Sequence, residues 1–437
     1  MAWPLAVGML SNTLMGVVDT LLMGQVGTAA QAGVGLATTL FFFFLSFFLG
    51  MSTGPQSLVA AANGARDDLR VKMAGGAGIL LSLVSAAAAV CLLAMLYKPL
   101  LGWVVNDAAV VQNTSDYIRI RLFGMPFSIM YIGLLCGVQG LGDTRSRMMV
   151  SLAANGLNIV LDFVLIFGCG PIPRLEASGA AIATVLSMVL AFALMGRRYL
   201  RLLSRPVMPS AEVVFSSVKV GLPSGMERLM GVFAFVVISL VLARIGAVHL
   251  AAFEIVLNII SVSFLPGFSI GEAGGILVGR YLGAGKNEAA GRSLHSARTM
   301  AVALMSACGV LFAIRGDWLA SFFTIDPEVA RIAGVLMIYA AIFQVFDALT
   351  MVHICALRGA GDTRFSLAVT TVASWGLTVP LTLFFALHLD WGAPGAFLAM
   401  TLELIALASI TGWRVRGIRK GRVGRLDLLL GRTAQAT

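Results

Sequence analysis

The sequence predicts an all-α integral membrane protein with twelve transmembrane helices in two six-helix lobes. Three observations predict it. Only 12% of the 437 residues are charged and 59% are apolar, with a mean hydropathy of +0.92, whereas a soluble protein carries about 25% charged residues. Apolar runs such as Phe41–Gly54, Ile79–Leu96 and Val232–Ala243 belong in hydrocarbon. The string Gly-x-Gly-Asp-Thr-Arg also occurs twice, at Gly140–Arg145 and Gly359–Arg364.

Spans of about 20 residues can be laid down twelve times. The first six are 2–25, 32–62, 74–97, 117–138, 147–168 and 177–196. Span 1 starts almost at Met1 and holds Asp19, which argues against a cleaved signal peptide. The basic stretch Gly196–Ser210, closing with two prolines, separates the lobes. The last six spans are 221–243, 250–279, 299–315, 333–356, 366–388 and 393–413. Pro266 and four glycines within Ser263–Gly275 predict a kink in span 8. The expected organisation is a first lobe over 1–196, a cytoplasmic linker over 197–216, a second lobe over 217–413 and a basic cytoplasmic tail over 414–437.

Charge sets the expected orientation. With the N-terminus inside, the cytoplasmic segments and tail collect 23 of the 31 Lys and Arg residues. This is the positive-inside asymmetry, so both termini are expected in the cytoplasm of a cell membrane. The net charge of +10 then needs no nucleic-acid partner. Five cysteines, Cys91, Cys136, Cys169, Cys308 and Cys355, lack metal-ligand or disulfide spacing and read as small apolar packers.

Asp143 and Asp362 lie 219 positions apart, and so do Pro4 and Pro223, Gly27 and Gly246, Ala32 and Ala251, Gly64 and Gly283, and Cys136 and Cys355. One ungapped register predicts an internal duplication. Six helices per copy is an even number, so both copies enter the bilayer in one direction, related by a pseudo-twofold axis along the membrane normal. In each string, Gly140 or Gly359 is expected to supply a left-handed helix cap. Asp143 or Asp362 then caps the next helix, and Arg145 or Arg364 anchors the turn among headgroups.

Val17–Ala37, the two Gly-Asp-Thr-Arg turns, Gly221–Leu229 and Leu277–Gly285 fall in chain order. Together they resemble the multidrug and toxic compound extrusion (MATE) family over nearly the whole length, and look closest to the bacterial branch of the DNA-damage-inducible protein F type. The resemblance implies a V-shaped central cleft between the lobes. It also implies export of organic cations and amphipathic drugs, driven by inward protons or sodium, by a transporter that needs no cofactor and can act as a monomer.

Ionisable residues within spans are costly, about 2.5–3.5 kcal/mol each on insertion scales, and mark candidate sites. Asp19 in span 1 and Asp162 in span 5 lie at similar depth. Asn155, Asn158 and Asp162 share one helix face through spacings of three and four. Carboxylates crowded in low dielectric favour holding a proton; the same oxygens, at Asp19, Asn158 and Asp162, suit sodium, a hard cation. The resemblance matches Asp19, Asn158 and Asp162 to the family's acidic cluster and Thr184 to a polar member of it. In the second lobe it matches Asp347 to a cation-site aspartate of the sodium-coupled branch, while Gly231 stands where that branch has an acid. Glu227, beside Arg228, reads as an interfacial ion pair; Glu254 and Glu272 are candidates to attract cations. His353 suits either a proton relay or a hydrogen-bonded core position. Two rivals are weaker. A flippase for lipid-linked sugars or precursors predicts clustered intramembrane arginines, and a membrane-embedded enzyme predicts a catalytic constellation that the sequence does not offer.

Overall fold

The structure is a computed structural model, and it describes the chain except for residues 105–106, 172, 204–206, 325 and 424–437. Among the described residues, twelve helices are long and apolar enough to cross a membrane. They are α1 Ala2–Val26, α2 Thr28–Gly64, α3 Asp68–Gly102, α4 Ala108–Gly140, α5 Thr144–Phe167 and α6 Glu176–Leu203. Then come α7 Ala211–Ile245, α8 Ala247–Gly283, α9 Asn287–Ser321, α10 Pro327–Gly359, α11 Thr363–His388 and α12 Gly392–Arg419. Each expected span lies within one of these helices to within a residue, and most helices run well past it. Hydropathy finds the hydrocarbon-length stretch, whereas the backbone bonds continue into polar ends such as Asn287–Arg298.

Two compact units emerge. One contains Trp3–Val59 and Asp67–Val218; the other contains Ala60–Arg66 and the chain from Lys219 on. The expected linker is helical at both flanks, because α6 continues to Leu203 and α7 begins at Ala211. Residues 204–206 of that linker, and 424–437 of the expected tail, lie outside the described residues. Within the first unit, Phe41 of α2, Tyr117 and Ile118 of α4 and Ile166 of α5 share one core. In the second, Phe253 of α8, Phe343 of α10 and Phe397 of α12 form an aromatic cluster.

Between apolar helices in lipid there is little hydrophobic drive, so close packing of small residues carries association. Gly359 of α10 is such a place, since a Cβ there would lie 2.0 Å from the Gly275 carbonyl of α8. Pro266 sits inside α8, which stays helical from end to end. In α11, by contrast, Ser374–Thr378 and Leu383–His388 adopt π-helical turns.

The duplication is visible in backbone bonds. Gly142 N–H donates to Gln139 O (2.8 Å) and Asp143 N–H to Val138 O (3.2 Å); 219 positions on, Gly361 N–H donates to Arg358 O (3.0 Å) and Asp362 N–H to Leu357 O (2.9 Å). The left-handed residue of each turn is the second glycine, Gly142 (φ 91°) or Gly361 (φ 76°), which corrects the expectation for Gly140 and Gly359. Leu141 and Ala360 extend the helical backbone by one residue, so the reversal comes two positions later. Gly140 serves packing instead: a Cβ there would meet Val59 at 2.7 Å.

Asp143 caps α5, accepting from Ser146 N–H (3.1 Å) and Ser146 Oγ (2.7 Å). Asp362, contrary to the expectation, makes no side-chain cap; its Oδ2 accepts from Arg414 Nε of α12 (2.8 Å). Asp143 also accepts from Arg198 of α6, at 2.8 Å from Nε and 2.6 Å from a terminal nitrogen. Each turn is thus tied by an arginine to the last helix of its own half.

Candidate functional site

The site is built on two helices whose polar residues meet at two levels. Asn155 Nδ2 of α5 donates to Ser11 Oγ and to Asn12 Oδ1 of α1, both at 2.8 Å. Seven residues further along α5 is Asp162, and eight residues beyond Ser11 on α1 is Asp19. At 1.5 Å per residue those offsets are about 10 and 12 Å, so the lower contact sets the register of the upper one. There the Asp19 and Asp162 carboxyls stand within hydrogen-bonding reach of each other. Asn155 therefore belongs to the α1–α5 seam and not to the acidic pair itself.

Asp162 and Asn158 are fully buried, at 0% exposure, and Asp19 is half-buried. Neither oxygen of Asp162, neither amide atom of Asn158, nor Oδ1 of Asp19 has a hydrogen-bond partner among the described residues. Two ionised carboxylates are acceptors only, so this pair can bond to itself only by sharing a proton. Thr184 of α6 is buried, but its hydroxyl donates to Ala180 O of its own helix (2.9 Å). The expected polar role for Thr184 gains no hydrogen bond to the pair.

Sequence reasoning missed Arg121 of α4. Its field acts on Asp19. The guanidinium lies 4.9 Å from the Phe41 ring centroid and 6.0 Å from that of Tyr117, within cation–π range. Two acids and one arginine leave the cluster at −1 when both acids are ionised. One bound proton or alkali ion makes it neutral. The donors are oxygens and one amide, a hard set suited to such ions and unsuited to thiophilic metals. Among the described residues, no group of three or more His, Cys, Asp or Glu converges as a metal site.

The second-half candidates do not gather in one place. Glu227 of α7 is buried and pairs with Arg358 of α10 at 3.2 Å. Its sequence neighbour Arg228 is not that partner, because adjacent helical residues point away from each other. Glu272 of α8 lies in the electrostatic neighbourhood of Arg228 and Arg358, so it joins a charge-balanced group. Glu254 is exposed on α8. Asp347 is buried on α10, one turn beyond Gln344, whose amide donates to Ser263 of α8. His353 Nδ1 meets Thr411 Oγ1 at 3.2 Å, and that hydroxyl donates to Leu407 O at 2.6 Å. The imidazole must then be the donor at Nδ1, a core arrangement. Glu403 of α12 accepts from Ser374 Oγ of the first π-helical turn at 2.5 Å.

Outside the spans, Asp143 is the informative acid. Burial alone would raise its carboxyl, but the Ser146 and Arg198 donors outweigh burial and hold it below the usual carboxylate range.

The family model described as MatE matches residues 4–164 and 223–384. The two matched segments begin 219 positions apart, the same offset that relates the two turns. The chain is 32% identical over 428 residues to "Probable multidrug resistance protein NorM" of Burkholderia mallei, covering 95% of this chain and 91% of that protein. It is 32% identical over 425 residues to "Multidrug resistance protein NorM" of Burkholderia vietnamiensis, covering 95% and 92%. A solved structure of a MOP superfamily transporter from Pyrococcus furiosus superposes with a TM-score of 0.87 at 22% identity, over 96% of this chain and 95% of that one. That last likeness is one of fold.

Proposed function

Because the chain belongs to the MatE family, whose members here are transporters and not enzymes, we propose that it is a secondary antiporter exporting organic cations and amphipathic drugs. The observation that carries the coupling half of this reading is the Asp19–Asp162 pair, a half-buried carboxyl of α1 within hydrogen-bonding reach of a fully buried one of α5 whose oxygens have no other partner among the described residues. The names of the NorM relatives support the cargo half.

In this reading the pair holds one proton when facing the proton-rich side, and the neutral cluster has little attraction for a cationic drug. Loss of the proton restores a net charge of −1, which draws the cargo cation. Alternating access follows if the two forms favour different arrangements of α1 against α5. Arg121 offsets one of the two acid charges, so the change runs between 0 and −1 and not between −1 and −2. The proposed orientation places both termini in the cytoplasm, with the basic residues retained on that side.

Sodium is the second reading, favoured by the partnerless Asn158 amide beside the acids, an oxygen donor that a proton does not need. Asp347 is the second-half residue that we retain as an ion-binding candidate. Glu227 and Glu272 are assigned to the charge network, and Glu254 to attracting cations at the surface.

Proteoliposomes loaded with a fluorescent lipophilic cation separate the two ions. An imposed pH gradient alone should drive cation exchange in the wild type, and Asp19→Asn should reduce it at least tenfold. Exchange driven equally well by a sodium gradient at constant pH would replace protons by sodium. Exchange in Asp19→Asn at the wild-type rate would remove the pair from the mechanism.

A further inference from the structure

One cavity is unused by the transport reading. A groove of about 380 Å³ opens between the start of α5 and the end of α6, within the first unit. It is lined by Ser146, by the apolar Met149, Val150, Ala153 and Leu194, and by Arg197, Arg198 and Arg201; along α6 the arginines lie nearer the helix end than Leu194. Arg198 is already spent on Asp143. Arg197 and Arg201 are exposed and lie four apart on one face of α6.

Two further features point the same way. Met149, at the groove, is 57% exposed, and Leu152 beside it is 45% exposed; on a transmembrane helix such side chains face acyl chains. The arginines cap the apolar wall at the point where α6 leaves its hydrocarbon-length stretch, which is headgroup depth. The first turn of α5 adds the positive end of a helix dipole. The groove therefore offers cationic donors at headgroup level and an apolar trough directly below them.

We propose that this groove binds an anionic phospholipid, its phosphate between Arg197 and Arg201 and one acyl chain along Met149, Ala153 and Leu194. Charge complementarity selects an anionic headgroup over a zwitterionic one, and the apolar trough selects a lipid over a soluble phosphate. The volume suits a headgroup and the first part of a chain. Basic pockets between transmembrane helices hold anionic headgroups by the same physics.

The test is native mass spectrometry of the full-length protein from micelles containing equal phosphatidylglycerol and phosphatidylcholine. The wild type should retain phosphatidylglycerol preferentially. Arg197→Gln with Arg201→Gln should weaken that retention about 25-fold, from roughly fivefold per arginine. Ala153→Trp, which leaves the charge alone and fills the trough, should weaken it too. Arg174→Gln with Arg244→Gln, equal in charge lost but distant in the chain, should not. No preference in the wild type, or equal loss in the distant control, overturns the proposal. So does full displacement of the lipid by soluble glycerol phosphate, which would make the groove a phosphate site.

Discussion

At the scale of single residues, the sequence exposed the acids but not their partners. Asp19 and Asp162 were legible because a carboxylate in a hydrocarbon span is rare and costly, and a shared depth can be counted from helix ends. Arg121 was not, because its contact with Phe41 spans 80 positions and depends on how α4 packs against α2. Nor was the Glu227–Arg358 pair, which crosses from α7 to α10. Two residue-level predictions follow from backbone and charge. Asp143 has a folded-state carboxyl held below its ordinary value of about 3.9, so its contribution is present above that value and is lost as pH falls through the folded one. Asp143→Asn should cost about 1 kcal/mol at pH 7, a modest figure because Arg198 is partly solvated. The difference from wild type in thermal unfolding should fade below about pH 4. Arg66 takes a left-handed φ of 57° where its repeat partner is Gly285, at 71°. Arg66→Gly should therefore raise stability by about 0.5–1 kcal/mol, seen as a higher midpoint in micelles; a lower one would show that the arginine side chain matters more than its strain.

Among elements, the count and order of the helices were readable from hydropathy, whereas their irregularities were not. Pro266 marked a place for a kink within a continuous helix, and α8 does run unbroken through it, but nothing in the sequence marked the π-helical turns of α11. The widened turn places Ser374 toward α12, where its hydroxyl donates to Glu403. A polar bond in a lipid-facing bundle stabilises one register of α11 over its neighbours, and sequence periodicity carries no trace of such a local insertion. Glu403→Ala removes the acceptor and should cost about 1–3 kcal/mol, read as a lowered unfolding midpoint. Ser374→Ala combined with Glu403→Leu should recover part of that loss, because no polar group is then left stranded. The doubled Gly-x-Gly-Asp-Thr turn shows a similar division. Its presence at two helix ends was evident, but which glycine reverses the chain depends on one extra residue of helix beyond Gly140 and Gly359.

For the whole molecule, the 219-residue offset organises the chain, from matched backbone bonds at both turns to the starts of both family-model segments. Side-chain chemistry departs from that symmetry. The first half concentrates two acids, an unpaired amide and Arg121 at one level, while the second half spreads its acids among an arginine network, a hydroxyl and the surface. Duplication supplies two equivalent scaffolds; divergence has left one of them with the paired carboxyls on which the proposed coupling rests. The central claim is that proton and cargo cation compete for those carboxyls. It is met most directly by adding tetraphenylphosphonium to the purified protein in weakly buffered micelles and recording the proton released. The account predicts release from the wild type near neutral pH and none from Asp19→Asn or Asp162→Asn; equal release from all three, or binding without release in the wild type, would contradict it.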